Sequence, residues 1–517
     1  MHKSVRQSMA WLHSWIGLLF GWLLFAIFLT GSVTYYRQEI SLWMQPQFAS
    51  MQVNQQTAVE TAVSYLQKNA PDAKSWYIGV ANQSMPVNKI YWQKADGGYD
   101  SKTLDAATGK EMAASTTQGG DFFYSFHFQL YGVPYYIGRL ITTIAAFIML
   151  ITLISGVITH KKILTDFFTL RAFKGQRSYL DFHNVSAVVA LPFFLTITFT
   201  GLAIFFYVLL PSGMKKIYPD NPFQYFEEIR TTVTMPHQTT INKAEMKSIH
   251  YFLNTARQQW GNSAIENITI QQPNTTQSRL TITELKDQSI TRNQAQITFN
   301  AANGKMLGST RNTSAIATLN AGVYGLHMAK FAQPALRLGF FFSGILGCAM
   351  IASGLLLWSL KRQMQRKSES FHLGHYVVNR LNIAAILGLP LSMLAYLYAN
   401  RVMQGHSSVA TYEVYAFFGI WLSSLITSLV MPQRMLWKMQ LKIFILGALL
   451  LPIINIYYLI SHGYIHSWAQ YWTFLRVDLM ILIFGLLALF LHQNIVPIQQ
   501  RAVDKIKRKQ QAVLENI

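Results

Sequence analysis

Leu12-His13-Ser14-Trp15-Ile16-Gly17 opens the first long apolar run of the chain, and Thr30-Gly31 closes it. The arrangement returns near residue 180, where Phe182-His183-Asn184-Val185 starts a run that closes on Thr200-Gly201. From His to Gly is 18 residues in both copies. At ~1.5 Å per helical residue that separation is ~27 Å, about the depth of a bilayer core. A histidine therefore stands at the same edge of two hydrophobic helices.

The composition agrees. Of 517 residues, 51% are hydrophobic and only 13% charged, where soluble domains carry about 25% charged residues. Repeated apolar runs of membrane-crossing length make this a polytopic α-helical membrane protein with about eight spans. They fall at roughly 13–36, 135–159, 184–210, 337–360, 379–399, 412–431, 439–461 and 471–492. The first is too long for a signal-peptide core and is expected to be retained.

The formal charge of +21 sits in short segments between the runs. Lys161, Lys162, Arg171, Lys174 and Arg177 form one cluster, and Lys361, Arg362, Arg366 and Lys367 another. Arg434, Lys438 and Lys442 follow, then Arg501, Lys505, Lys507, Arg508 and Lys509. With the N-terminus (Lys3, Arg6) inside, every cluster falls on the cytoplasmic side, the positive-inside signature of cytoplasmic loops. The charge thus reads as topology and lipid contact, with no nucleic-acid partner. The single cysteine, Cys348, excludes an internal disulfide or dithiol chemistry.

Two long hydrophilic stretches, roughly 37–126 and 211–326, fall on the opposite, outer side. Each has a helical segment, 57–70 or 243–259, and strand-like segments at Trp76–Val80 and Lys89–Trp92 or Ile268–Gln271 and Leu280–Thr283. Each also carries a turn that ends in Gly-Lys: Asp105-Ala106-Ala107-Thr108-Gly109-Lys110 and Asn300-Ala301-Ala302-Asn303-Gly304-Lys305. Two small α+β domains are expected. The chain then divides into 1–36 (N-terminus and span one), 37–126 (first outside domain), 127–210 (spans two and three) and 211–326 (second outside domain). Span four occupies 327–362, a linker 363–378, four further spans 379–492 and a basic tail 493–517.

The duplication extends to the even spans. Phe126-His127 leads to Pro134, Gly138-Arg139 and Ser155-Gly156; Leu326-His327 leads to Pro334, Arg337 and Ser353-Gly354. A repeated helix–domain–helix unit of this kind places its copies around a pseudo-two-fold axis along the membrane normal. Under such an axis His13 and His183 face one another near the inner side, and His127 and His327 near the outer side. Two imidazoles approaching one point from opposite sides suit a six-coordinate haem iron. His160 is a competing ligand at the inner side. Arg139 and Arg337, at the outer ends of their spans, are candidates for pairing with haem propionates or for ordinary interfacial anchoring. Arg476 and Asp478 are expected to meet neighbouring helices or the interface. His2, His237, His250, His372 and His406 are expected at the surface, while His375, His462, His466 and His492 lie near the ends of later spans.

These residues resemble the PepSY-associated transmembrane family, which includes ferric-siderophore reductases of the bacterial inner membrane. The likeness covers roughly residues 8–362. It is carried by Leu12–Gly17, Tyr36-Arg37-Gln38-Glu39, Phe126-His127, Gly138-Arg139, Ser155-Gly156-Val157-Ile158-Thr159-His160, Asp181-Phe182-His183-Asn184, Leu326-His327 and the two Gly-Lys turns. It departs at His327-Met328-Ala329-Lys330, where the family favours a small residue and Gly, and span three lacks a counterpart of Gly17. The last four spans are outside the family pattern. The resemblance implies PepSY-like outside domains, about two haem b groups with histidine ligands, and electron delivery to ferric siderophores.

That activity is chemically coherent. Siderophores hold Fe(III) through hard oxygen donors, and reduction to Fe(II) weakens that hold. No GxGxxG or P-loop is present, and the inside loops are too short for a flavin or nicotinamide domain. The donor is then a membrane quinol or another protein. Trp76, Tyr77 and Trp92 are candidates for docking the ferric complex, with strand-core packing their other fate. Two further readings fit the same residues: a non-redox accessory of siderophore transport, and a PepSY-type binding or regulatory protein.

Overall fold

The computed structural model describes residues 4–48, 51, 53–82, 85–112, 117–160, 176–220, 224–229, 242–261, 263–285, 289–291, 294–310, 314–365, 371–465 and 468–514. Lys3, Lys161, Lys162, Arg171, Lys174, Arg366, Lys367, His2, His237 and His466 lie outside the described residues. The chain forms two compact units. One comprises Met1–Met44, Thr116–Leu209 and Pro334–Ile517; the other comprises Gln45–Ser115 and Leu210–Gln333.

The first unit is helical. Among the described residues seven helices are long and apolar enough to cross a membrane: Val5–Thr34, Tyr135–Thr159, Pro334–Gln365, Leu373–Val402, Val409–Val430, Gln433–Ser461 and Phe474–Asn494. The third expected span is not one straight helix. It is the pair Arg177–Val189 and Leu191–Ile204, bent by 65°. Pro192 stands at the start of the second piece. Its ring lacks an N–H and crowds the carbonyl four residues back, which interrupts the ladder there.

Leu24 of span one, Ala145, Met149 and Leu153 of span two, Phe194 of span three and Met350 of span four share one buried cluster. Along the later spans large apolar side chains stay exposed, among them Leu422, Leu446 and Leu486. A surface of that kind is matched by lipid tails rather than water.

In the second unit the two hydrophilic stretches, expected as separate domains, join in one antiparallel seven-stranded sheet. The strands are β1 (Ser75–Gly79), β2 (Val87–Gln93), β3 (Tyr99–Asp105), β4 (Ile265–Gln271), β5 (Arg279–Glu284), β6 (Gln296–Asn300) and β7 (Met306–Thr310), in the order β3-β2-β1-β4-β5-β6-β7. The seam is β1–β4, with Trp76 opposite Ile270 and Ile78 opposite Ile268. Each half alone would leave a bare strand edge there; pairing the halves removes it. Helices Gln55–Asn69 and Ile249–Trp260 supply Ala58, Val59, Leu66, Phe252 and Leu253 to the core that backs the sheet. The repeated turns match: Asp105 Oδ1 accepts from the N–H groups of Ala107 and Thr108, and Asn300 Oδ1 from those of Ala302 and Asn303. Gly109 (φ +68°) and Gly304 (φ +79°) take the positive-φ position in each.

Candidate functional site

His13 lies on span one and His183 on the first piece of span three. The fold brings them together: their ring centroids are 6.2 Å apart and the ring planes are inclined at 75°. Each ring is fixed by the same device. His13 Nδ1 is 2.9 Å from the carbonyl oxygen of Thr152, and the ring lies over Gly156 one turn further along span two. His183 Nδ1 is 2.8 Å from the carbonyl oxygen of Met350, with the ring over Gly354 in span four. A Cβ on Gly156 would stand 3.1 Å from His13 Cε1, and one on Gly354 3.0 Å from His183 Cε1. The missing side chain is what lets an imidazole lie against the helix backbone and reach a carbonyl already engaged in the helical ladder.

His127 repeats the device in the same unit. It stands near the end of helix Asp121–Gln129, its Nδ1 is 2.8 Å from the carbonyl oxygen of Ile27, and its ring meets span one at Gly31. In all three cases the acceptor is four residues before the glycine. A carbonyl acceptor calls for a proton on Nδ1, which leaves Nε2 with its lone pair, the form that binds metals. His327 belongs to the other unit, half-buried near the end of helix Ala315–Met328.

These residues fit a haem. At metal–nitrogen lengths of about 2 Å, two imidazoles bound end-on to one ion place their centroids roughly 6.3 Å apart. The His13 and His183 centroids, 6.2 Å apart, are near the distance that two imidazoles on opposite sides of one ion would have. Inclined planes would be no obstacle because each could rotate about its own bond to the metal. Among the described residues no group of three or more His, Cys, Asp or Glu side chains is arranged to hold a bare metal ion. Two ligands suffice for iron that brings four nitrogens of its own.

The sequence profile described as PepSY-associated TM region matches residues 10–361. The chain belongs to the PepSY-associated transmembrane family. No curated protein matches it. The family region contains spans one to four and the whole sheet unit, and it ends before spans five to eight.

Within that family region the structure brings His183, rather than His160, to the ring of His13. His160 caps the end of span two, where its backbone N–H reaches the Gly156 carbonyl. Arg337 is paired with Glu39 at 2.5 Å and lies over the Tyr36 ring. Arg139 rests on Tyr135, with its guanidinium carbon 3.8 Å from the ring centroid, and donates to the Tyr207 hydroxyl at 3.1 Å. Nε of each arginine is buried with no partner among the described residues. Each guanidinium thus keeps one donor to spend.

Trp76 and Trp92 are core residues of the sheet, while Tyr77 is exposed beside Tyr91 on its open face. His250, His372 and His406 are exposed. Asp478, expected to meet neighbouring helices or the interface, accepts from Asn455 and Trp43. Sequence reasoning missed the rest of that buried polar network beyond the family region, built on Arg401 and Glu413 with Asn400 and Asn455. The signal was present: three charged residues lie at the margins of spans five, six and eight.

Proposed function

We propose that the protein is a haem b reductase of the bacterial inner membrane that carries electrons across the bilayer to ferric siderophores in the periplasm and releases Fe(II). The observation that carries this reading is the paired docking of His13 and His183, with Nδ1 of each 2.8–2.9 Å from a carbonyl oxygen and the ring centroids 6.2 Å apart. A haem held there would supply one-electron transfer, which ferric reduction needs and hydride chemistry does not provide. The chain's own part is to hold both imidazoles in one tautomer and one orientation through their carbonyl partners. His127 and His327 are the second ligand pair in this proposal, on the strength of the sequence duplication. The unspent Nε donors of Arg139 and Arg337 are suited to propionate. The electron donor is a quinol or a partner protein.

The test is a visible spectrum of the detergent-purified protein, oxidised and dithionite-reduced, with pyridine-haemochrome quantitation. A low-spin b-type spectrum with about two haems per chain is expected. A haem-free protein from haem-replete cells would remove the redox mechanism and return the transport-accessory and regulatory readings.

A further inference from the structure

We infer that spans five to eight are a clamp that positions the His127 helix, and that Tyr396, Phe417 and Glu413 are positioning residues for that ligand. The role in haem ligation rests on the function proposed above; the clamp itself does not.

The argument starts from the helix Asp121–Gln129. Phe122 and Phe126 are one turn apart, and His127 lies ~140° around the helix from Phe122 at 100° per residue. The histidine faces span one, where Ile27 and Gly31 receive it. The phenylalanines face the added spans. Phe122 stacks on Tyr396 of span five at 4.8 Å and meets Phe417 of span six edge-on at 4.9 Å. Phe126 contacts Phe417 at 5.8 Å and Trp421 at 6.0 Å. The helix is therefore held between family core and added spans, with its ligand on one side and its aromatic anchors on the other.

The polar ties are made at two points of the chain. Trp43 stands at the end of one segment of this unit and Thr117 at the start of the next. Trp43 Nε1 donates to Asp478 at 2.9 Å, its carbonyl accepts from Arg401, and the Arg401 guanidinium lies 3.7 Å over its ring. Thr117 donates to Glu413 at 2.8 Å, and the Tyr396 hydroxyl donates to the Gly119 carbonyl at 2.9 Å. Asn400 and Asn455 link the three charges: Asn400 donates to Glu413 and accepts from Arg401, while Asn455 donates to Asp478 and accepts from Arg401. Buried charges are tolerated only with full sets of partners, and removing one partner strands the rest. A network this closed fixes the lead-in to the His127 helix in a single arrangement.

The experiment uses the full-length purified protein and the mild variants Tyr396→Phe, Glu413→Gln and Phe417→Leu, each close in shape to the original. Hydrogen–deuterium exchange reads the clamp without reference to haem, and spectroelectrochemical titration reads the ligand. Exchange over residues 117–129 should rise several-fold in the variants, with residues 177–189 unchanged. One of two haem midpoints should shift while the other stays in place. Unchanged exchange in all three variants would overturn the clamp whatever the haem content. Raised exchange with both midpoints unmoved would overturn the positioning role. Wild type without haem would sink the proposed function, leaving the exchange result to judge the clamp.

Discussion

His183 Cε1 stands 3.0 Å from the place where a Cβ on Gly354 would be, so this glycine is a seat and not a spacer. The same holds for Gly156 under His13 at 3.1 Å, and more severely for Gly31, where the nearest ring atom is His127 Nδ1 at 2.6 Å. Alanine at a helical glycine gains about 1 kcal/mol of helix propensity. Gly156→Ala and Gly354→Ala should therefore keep or raise thermal stability, and Gly31→Ala should change it little. Gly156→Ala and Gly354→Ala are expected to retain haem with a shifted spectrum, since the ring needs to give only a few tenths of an ångström. Gly31→Ala should lose it, because retreat of the His127 ring would break its bond to Ile27, worth about 1 kcal/mol. Haem content measured beside the melting temperature checks this; a parallel fall in both would mean that the glycines serve packing alone.

Removal of the proposed ligands should give the complementary result. His13→Ala and His183→Ala should each lose the same haem and keep the other, so haem content falls by about half, two equivalent sites being the duplicated reading. His127→Ala and His327→Ala should lose the opposite one. His160→Ala should retain both, because the ring that meets His13 is that of His183. Full haem in all four ligand variants would refute the assignment.

Much of this was legible in the chain because the repeat is written in residues that chemistry holds fixed. The glycine that ends the first His-to-Gly step and the Ser-Gly pairs at Gly156 and Gly354 turn out to be seats for rings of neighbouring helices: His127 docks on Gly31, His13 on Gly156 and His183 on Gly354. The strand-like segments Trp76–Val80 and Lys89–Trp92 fall on β1 and β2, where Trp76, Ile78, Ile90 and Trp92 are buried and Tyr77 and Tyr91 exposed, the alternation of a half-buried strand. The fusion of the two strand sets was not legible, since no local pattern in β1 or β4 distinguishes a partner in its own half from one in the other. The network around Arg401 escaped for a similar reason. A lone Arg or Glu at a span end reads as interfacial anchoring, and only tertiary contact reveals that Arg401 is 4% and Glu413 0% exposed.

Arg337 and Glu39 form an ion pair that is 26% and 15% exposed, in a chain segment that tolerates little unpaired charge. Arg337→Gln leaves the Glu39 carboxylate stranded, at a cost approaching about 3 kcal/mol for a pair this well covered. Glu39→Gln should cost less, because the guanidinium retains the face of Tyr36. The double variant should recover part of the loss. A double-mutant cycle on thermal unfolding measures the coupling, and strict additivity would show that the pair contributes nothing.

The sheet unit carries a titrating contact between its two covering helices. Glu60 accepts from Gln56 at 3.1 Å and lies 3.2 Å from His250 Nδ1, while Arg257 donates to Gln56 at 2.8 Å. The Gln56 hydrogen bond, and then that of His250, hold the Glu60 carboxyl below its usual range. A folded-state value that is lowered means stabilisation at neutral pH that disappears as the pH falls through the carboxylate range. The group is exposed, so solvent screening keeps the contribution to no more than about 0.5 kcal/mol. Amide exchange in helices Gln55–Asn69 and Ile249–Trp260 should therefore rise modestly between about pH 5 and pH 3. Glu60→Gln should show slightly faster exchange at pH 7 and a flatter response to acid. An identical acid response in the variant would place the titrating group elsewhere.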